Sequence, residues 1–210
     1  MGLGLLSIFV SVLPVLVGAR NWRRLSTGQR FLLSWFALGL GVDIASIIMG
    51  RLHITTVVLY LFFALPSAWL GLGALGHLAE SQRVLRSFRT TAMLYTVVWI
   101  YCTLRLEDGR DFSHYAGPLL WLVLTIAAVV LMVARFRTGL DRPFRDPAVL
   151  TGIATVLSFA PLSALEPVSG LLYPAHKDLV VRLWEAHSVL LIASYLIYTR
   201  AVQWTEAQTS

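Results

Sequence analysis

The stretch Tyr115–Ala134, YAGPLLWLVLTIAAVVLMVA, decides the fold: it holds no charged residue, and Arg135, Arg137, Arg142 and Arg145 follow it. The hydrocarbon core of a bilayer is about 30 Å thick, and a helix needs about 20 mostly apolar residues to cross it. Tyr115–Ala134 meets that requirement once. Moving outward, similar stretches run over Leu3–Ala19, Phe31–Met49, Ile54–Leu78, Thr90–Leu104, Pro147–Leu165 and Leu179–Ala201. The Thr90 stretch is short, so Phe88 is assigned to it, with Arg89 reaching back to the headgroups. Pro14 is a candidate kink in the first helix. Asp146 is the expected N-cap of the sixth helix, with Pro147 at its first position, and Asp178 that of the seventh. The chain has 210 residues, is 57% hydrophobic and only 13% charged, and has a mean hydropathy of +0.73. A soluble domain carries about 25% charged residues. The sequence therefore predicts an all-α polytopic membrane protein. Residues 1–210 are expected to form a single seven-transmembrane-helix bundle, with no length left over for an extramembrane domain.

The loops set the orientation. Arg20, Arg23, Arg24, Arg30, Arg83, Arg86, Arg89, Arg135, Arg137, Arg142, Arg145 and Arg200 fall on one side. Arg51, Arg105, Arg110, Lys177 and Arg182 fall on the other, together with most of the acids. Positive residues gather in the cytoplasm, so the N-terminus is expected outside and the C-terminus inside, which requires an odd number of spans. Gly18-Ala19 resembles a cleavage site. No basic segment precedes the first helix, however, and the arginines come after it, so an anchor is expected rather than a signal peptide. Arginine stands at sixteen positions and lysine only at Lys177, a bias that suggests a GC-rich bacterial genome and hence the inner (plasma) membrane. The pI near 10.0 follows from the flanking arginines. It calls for the lipid bilayer as partner and for no nucleic acid. The single cysteine, Cys102, excludes an intramolecular disulfide and a cysteine metal cluster, and reads as a small buried hydrophobe.

One residue breaks the apolar pattern. Asp43 lies inside the second helix, where a carboxylate costs a few kcal/mol unless it is paired, protonated or wet. It shares a helical face with Gly39, Ser46 and Gly50. It is either a ligand, ion or proton site or a hydrogen-bonding clasp between helices. The seventh helix offers a matching face: Trp184, His187, Leu191, Ser194 or Tyr195, and Tyr198 recur at steps of three or four. Glu185 lies beside them, three residues after Arg182, and a pair between the two is expected. Glu166, His53, Arg51 and Arg105 approach the same side. The sequence thus predicts a pocket open to the outside, with Asp43, Trp184, Glu185, His187 and Tyr195 as its ligand-binding residues. His187 alone is more often a structural hydrogen bonder.

Other constellations carry less. His77 and Glu80 share a face, but only arginines stand nearby, and a solvated helix end is the reading. Glu107, Asp108 and Asp111, with Arg110 and His114, read as a hydrated acidic loop. No metal site, catalytic residue or cofactor is assigned. The seventh helix has no lysine at membrane depth for a retinal Schiff base, and neither a hydrolase elbow nor a phosphate-cradling glycine loop is present. Ala37, Gly41 and Ala45 in the second helix and Ser67 and Gly71 in the third form small-residue faces, expected to pack the two helices together.

The string Trp184-Glu185-Ala186-His187-Ser188-Val189-Leu190 resembles, with Asp146-Pro147 and the acid in the second helix, small uncharacterised seven-helix integral membrane proteins of bacteria. In those a W-x-x-H-S-x-L pattern also opens the last helix. The resemblance covers the span layout and a small set of positions. It implies a role for Trp184, His187 and Ser188 and supplies no catalytic residues. Span count and orientation alone are similar to seven-helix receptors and rhodopsins. The leading expectation is a receptor-like or sensory module that binds a small or lipophilic ligand and signals through a cytoplasmic or membrane protein partner. A small-solute or proton-coupled transporter and an accessory subunit of a larger membrane complex are the alternatives. A lipid-acting enzyme ranks last.

Overall fold

A computed structural model describes residues 2–52, 54, 56–106, 115–140 and 142–203. Among them seven long helices run in chain order: α1 (Leu3–Arg20), α2 (Thr27–Arg51), α3 (Val57–Leu78), α4 (Gln82–Arg105), α5 (Ala116–Phe136), α6 (Pro147–Leu172) and α7 (Lys177–Gln203). Short 3-10 turns at Trp22–Arg24 and Pro143–Arg145 lead into α2 and α6. The fold of the described residues is all-α, and six of the helices are long and apolar enough to cross a membrane. The exception is α4, whose first turns carry Arg83, Arg86 and Arg89 ahead of its apolar part. His53, Glu107, Asp108, Arg110, Asp111 and His114 lie outside the described residues.

Local chemistry sets the helix ends. Ser26 and Gln29 form a reciprocal capping box at the start of α2, which satisfies two of the orphan N–H groups there. The Gln29 side chain then donates to the Ala201 carbonyl at 2.8 Å, tying α2 to the end of α7. Asp146 caps α6 by accepting from the Ala148 and Val149 N–H groups at 2.8 and 3.0 Å. Asp178 does not cap α7: the helix starts at Lys177, and Asp178 sits in its first turn, where a negative charge still favours the helix dipole. Pro161 and Pro167 lie inside α6, which runs on to Leu172 rather than ending at Leu165. A proline removes one ladder bond and bends a helix, but packing against α5 and α7 carries α6 through.

The helices close into a ring. α1 bridges α7 and α2; α2 packs on α3, α3 on α5, α5 on α6 and α6 on α7. α4 lies outside this ring against α3 and α5. Its outer face exposes Met93, Leu94, Val97, Tyr101 and Leu104. Phe9, Leu16, Phe62 and Ile126 extend the same apolar surface around the other helices, a coat suited to lipid rather than water. The expected packing face of α2 is not used in this way. Ala37 and Gly41 are exposed, and a Cβ added at Gly41 would meet nothing within 4 Å. On α3 the expectation holds: Ser67 is fully buried and accepts from the Trp35 indole of α2, and a Cβ at Gly71 would lie 3.2 Å from Trp35, though closer still to Leu124 of α5.

The end of the bundle that carries most of the arginines is solid. Leu32, Leu72, Leu75, Leu131, Val149 and Val202 are buried there, and Arg135 reaches both Glu80 and Asp146. Glu80 has a left-handed backbone, φ +52°, one residue past the cap of α3, a conformation that costs a non-glycine residue about 1 kcal/mol. The ion pair with Arg135 offsets part of that cost. His77 stacks on Phe31, with centroids 5.3 Å apart. His77 and Glu80 thus have structural partners, and no group of three metal-ligating side chains occurs among the described residues.

Candidate functional site

At the opposite end the helices part. A cavity of about 850 Å³ opens there, lined by residues of α1, α2, α3, α5, α6 and α7. Asp43, Trp184, Glu185, His187 and Tyr195 all line it. The face of α7 written in the sequence is the face presented to the cavity: Trp184, His187, Leu191, Tyr195 and Tyr198. Between the two candidates left open, Tyr195 lines the space, while Ser194 is buried and bonds back to the Leu190 carbonyl at 2.8 Å. On α2, Gly39 lines the cavity beside Asp43, whereas Gly50 is exposed. The expected pair of Arg182 with Glu185 does not form among the described residues; both side chains are exposed.

The polar groups of the wall are unevenly satisfied. Trp184 donates to Ser169 Oγ at 2.9 Å, and Trp35 to Ser67 Oγ at 3.2 Å. Tyr198 meets Thr155 Oγ1 at 2.9 Å. His187, 3% exposed, places Nε2 2.9 Å from the Ser158 carbonyl. A carbonyl only accepts, so Nε2 carries the proton, and in the neutral ring Nδ1 is left as an acceptor. That Nδ1 is buried without a partner. So is the indole N–H of Trp121, a residue 9% exposed. Orphan polar atoms of this kind are uncommon in folded proteins. Asp43 is half-buried and makes no hydrogen bond or ion pair with any described residue. The interhelical clasp that would make it purely structural is therefore not among its interactions. Tyr60 and Tyr195 lie within electrostatic range of it.

No protein-family model, curated protein or solved structure matches this chain.

The rest of the wall is aromatic. Phe159 lies between two indoles, stacked on Trp121 at 4.9 Å and 7° and on Trp35 at 5.3 Å and 24°. Phe36 meets Tyr198 and Tyr195 edge-on, at 4.5 and 6.2 Å. The Trp184 and His187 rings are perpendicular at 5.9 Å. Sequence reasoning missed the stack because its three rings come from α2, α5 and α6, and no spacing within one helix announces it. Glu166 adds a third carboxyl to those of Asp43 and Glu185, and no arginine or lysine among the described residues lines the cavity. At the rim, where Tyr173 and Glu185 are exposed, the Lys177 ammonium sits 5.8 Å over the Tyr173 ring. The site is thus a concave, largely apolar chamber with a few convergent polar groups, the usual form of a small-molecule site.

Proposed function

We propose that this protein is a receptor-like or sensory integral membrane module, and that the aromatic chamber is its ligand site. In this reading all seven helices span the bacterial inner membrane. The N-terminus and the chamber mouth face outward, and the arginine-rich end faces the cytoplasm. The observation that carries the reading is the junction of a carboxylate with no partner among the described residues, Asp43, with a His187 Nδ1 likewise without one, on the wall of one roomy cavity. A structural carboxylate at that depth would be expected to have a hydrogen-bonding partner.

The solid opposite end favours a sensor over a transporter, because a transporter needs a polar route onward from its site. It also suits signalling through a partner: the exposed arginines of the α1–α2, α3–α4 and α5–α6 connections offer a basic surface to a cytoplasmic protein or to anionic lipid.

Two measurements test the proposal. In intact cells, a membrane-impermeant maleimide is expected to label Glu185→Cys and to leave Arg86→Cys unlabelled; the reverse pattern would invert the topology. With purified protein, a panel of small lipophilic compounds is expected to include some that raise Tm. That shift is expected to be lost in both Asp43→Asn and His187→Ala. If ligand-dependent stabilisation survives both substitutions, the chamber is not the site. Ligand-dependent flux across proteoliposomes would move the assignment to the transporter.

A further inference from the structure

Resting on that reading, we infer that the ligand is a protonated lipophilic amine, an ammonium group bearing N–H donors on a compact apolar body. Charge comes first. The wall carries Asp43, Glu166 and Glu185, and no arginine or lysine among the described residues lines it. In surroundings this apolar the field of these groups is poorly screened, so a cation is drawn in and an anion excluded. The surface is the second argument. Trp35, Phe36, Tyr60, Trp121, Phe159 and Trp184 turn π-faces or edges to the same space, and aromatic faces attract cations and apolar bodies alike. The ring of Tyr173 at the rim already holds the Lys177 ammonium, an instance of this chemistry at the cavity's own edge.

Hydrogen-bond polarity narrows the class further. Asp43 and His187 Nδ1 present acceptors that no described residue fills. An ammonium with N–H groups can donate to them; a quaternary ammonium cannot. The orphan Trp121 N–H adds a place for one acceptor on the ligand, such as a hydroxyl, ether or carbonyl oxygen. A volume of about 850 Å³ admits an aromatic amine with room for water around its head.

The test uses the full-length protein in nanodiscs and a size-matched series: 4-phenylbutylamine, its N,N,N-trimethyl derivative, 4-phenylbutanol and 4-phenylbutyrate. Quenching of tryptophan emission reports binding, since Trp35, Trp121 and Trp184 line the chamber. The amine is expected to bind roughly ten-fold or more tightly than the alcohol and several-fold more tightly than the trimethyl compound, with no saturable signal from the butyrate. Asp43→Asn is expected to erase the preference for amine over alcohol by lowering amine binding to the residual level of the alcohol. That residual binding shows the chamber is still folded. Glu185→Gln, at the rim, is expected to weaken the amine by a few-fold only. Equal binding of amine and alcohol, or preference for the butyrate, overturns the cation assignment and leaves the chamber as a ligand site. Equal binding of the trimethyl compound overturns the N–H requirement. No saturable quenching by any of the four overturns both the cation assignment and the chamber itself.

Discussion

The two ends of this bundle treat the same residue types in opposite ways. At the arginine-rich end, glycines are sites of close approach: a Cβ at Gly28 would lie 2.9 Å from the Leu78 backbone nitrogen, and one at Gly152 only 2.5 Å from the Met132 side chain. At the cavity end, Gly4, Gly41 and Gly50 have nothing within 4 Å, and Gly39 has only Phe63, at 3.8 Å. Carboxylates follow the same division. Asp146 accepts two backbone N–H bonds and a guanidinium; Asp43 has no hydrogen-bond or ion-pair partner among the described residues. One end pairs its buried carboxylate and fills its interior, and the other leaves Asp43 without a hydrogen bond or ion pair among the described residues, in a space it does not fill. On the proposed reading, stability rests with the first end and function with the second.

The largest effect should come from breaking the clasp at the solid end. Arg135→Met leaves Asp146, 6% exposed, with a buried charge facing no cation. Removing one partner of a fully buried pair costs about 3–5 kcal/mol. Asp146 keeps its two backbone donors, so a loss of about 2–3 kcal/mol is expected, measured as a fall in Tm in detergent. An unchanged Tm would mean that the solid end is not what holds the bundle.

The glycine contrast gives a paired test of smaller size. Gly28→Ala drives a methyl against backbone that cannot turn aside, and overpacking of this kind costs about 1–3 kcal/mol. The intrinsic helix gain of alanine, about 1 kcal/mol, offsets only part of it. Gly41→Ala receives the gain without the clash and should leave Tm unchanged or slightly raised. Equal effects at the two positions would erase the distinction between the ends. Between them lies Tyr198, whose ring is buried and whose hydroxyl meets Thr155. Tyr198→Phe keeps the volume and removes one hydrogen bond, for an expected loss of about 1 kcal/mol.

Much of this division can be read in the sequence, for physical reasons. Bilayer thickness forces long uncharged runs, so the helices stand out. A single carboxylate against such a background is conspicuous, and a polar stripe on α7 at steps of three and four shows its own face. Asp146 followed by Pro147 spells a helix start. The sequence is silent where distant helices cooperate. The Trp35–Phe159–Trp121 stack draws one ring from each of three helices. The Arg135 bridge to Glu80 joins elements that no local pattern connects. The small-residue face of α2 misleads for the same reason: Ala37 and Gly41 have the spacing of a packing face, but α3 meets α2 along Trp35 and its neighbours. Spacing shows which residues share a face, and only the tertiary arrangement shows what that face meets.

The smallest effect on stability should belong to the residue weighed most heavily for function. If Asp43 held helices together, Asp43→Asn would cost about 1–3 kcal/mol, as the loss of a buried hydrogen-bonded group does. It makes no such bonds with the described residues, and a carboxylate at lipid depth is itself unfavourable by a few kcal/mol on insertion scales. Replacing it with a neutral amide should therefore leave the stability of the ligand-free protein unchanged or raise it by up to about 1 kcal/mol, read as an unchanged or higher Tm. Proteins commonly carry strained or unsatisfied groups at functional sites at the expense of stability. A marked fall in Tm would return Asp43 to the structural half of the molecule. A stable variant that no longer responds to amines would place it in the other half, since a group that weakens the empty bundle and strengthens the occupied one is retained for what it binds.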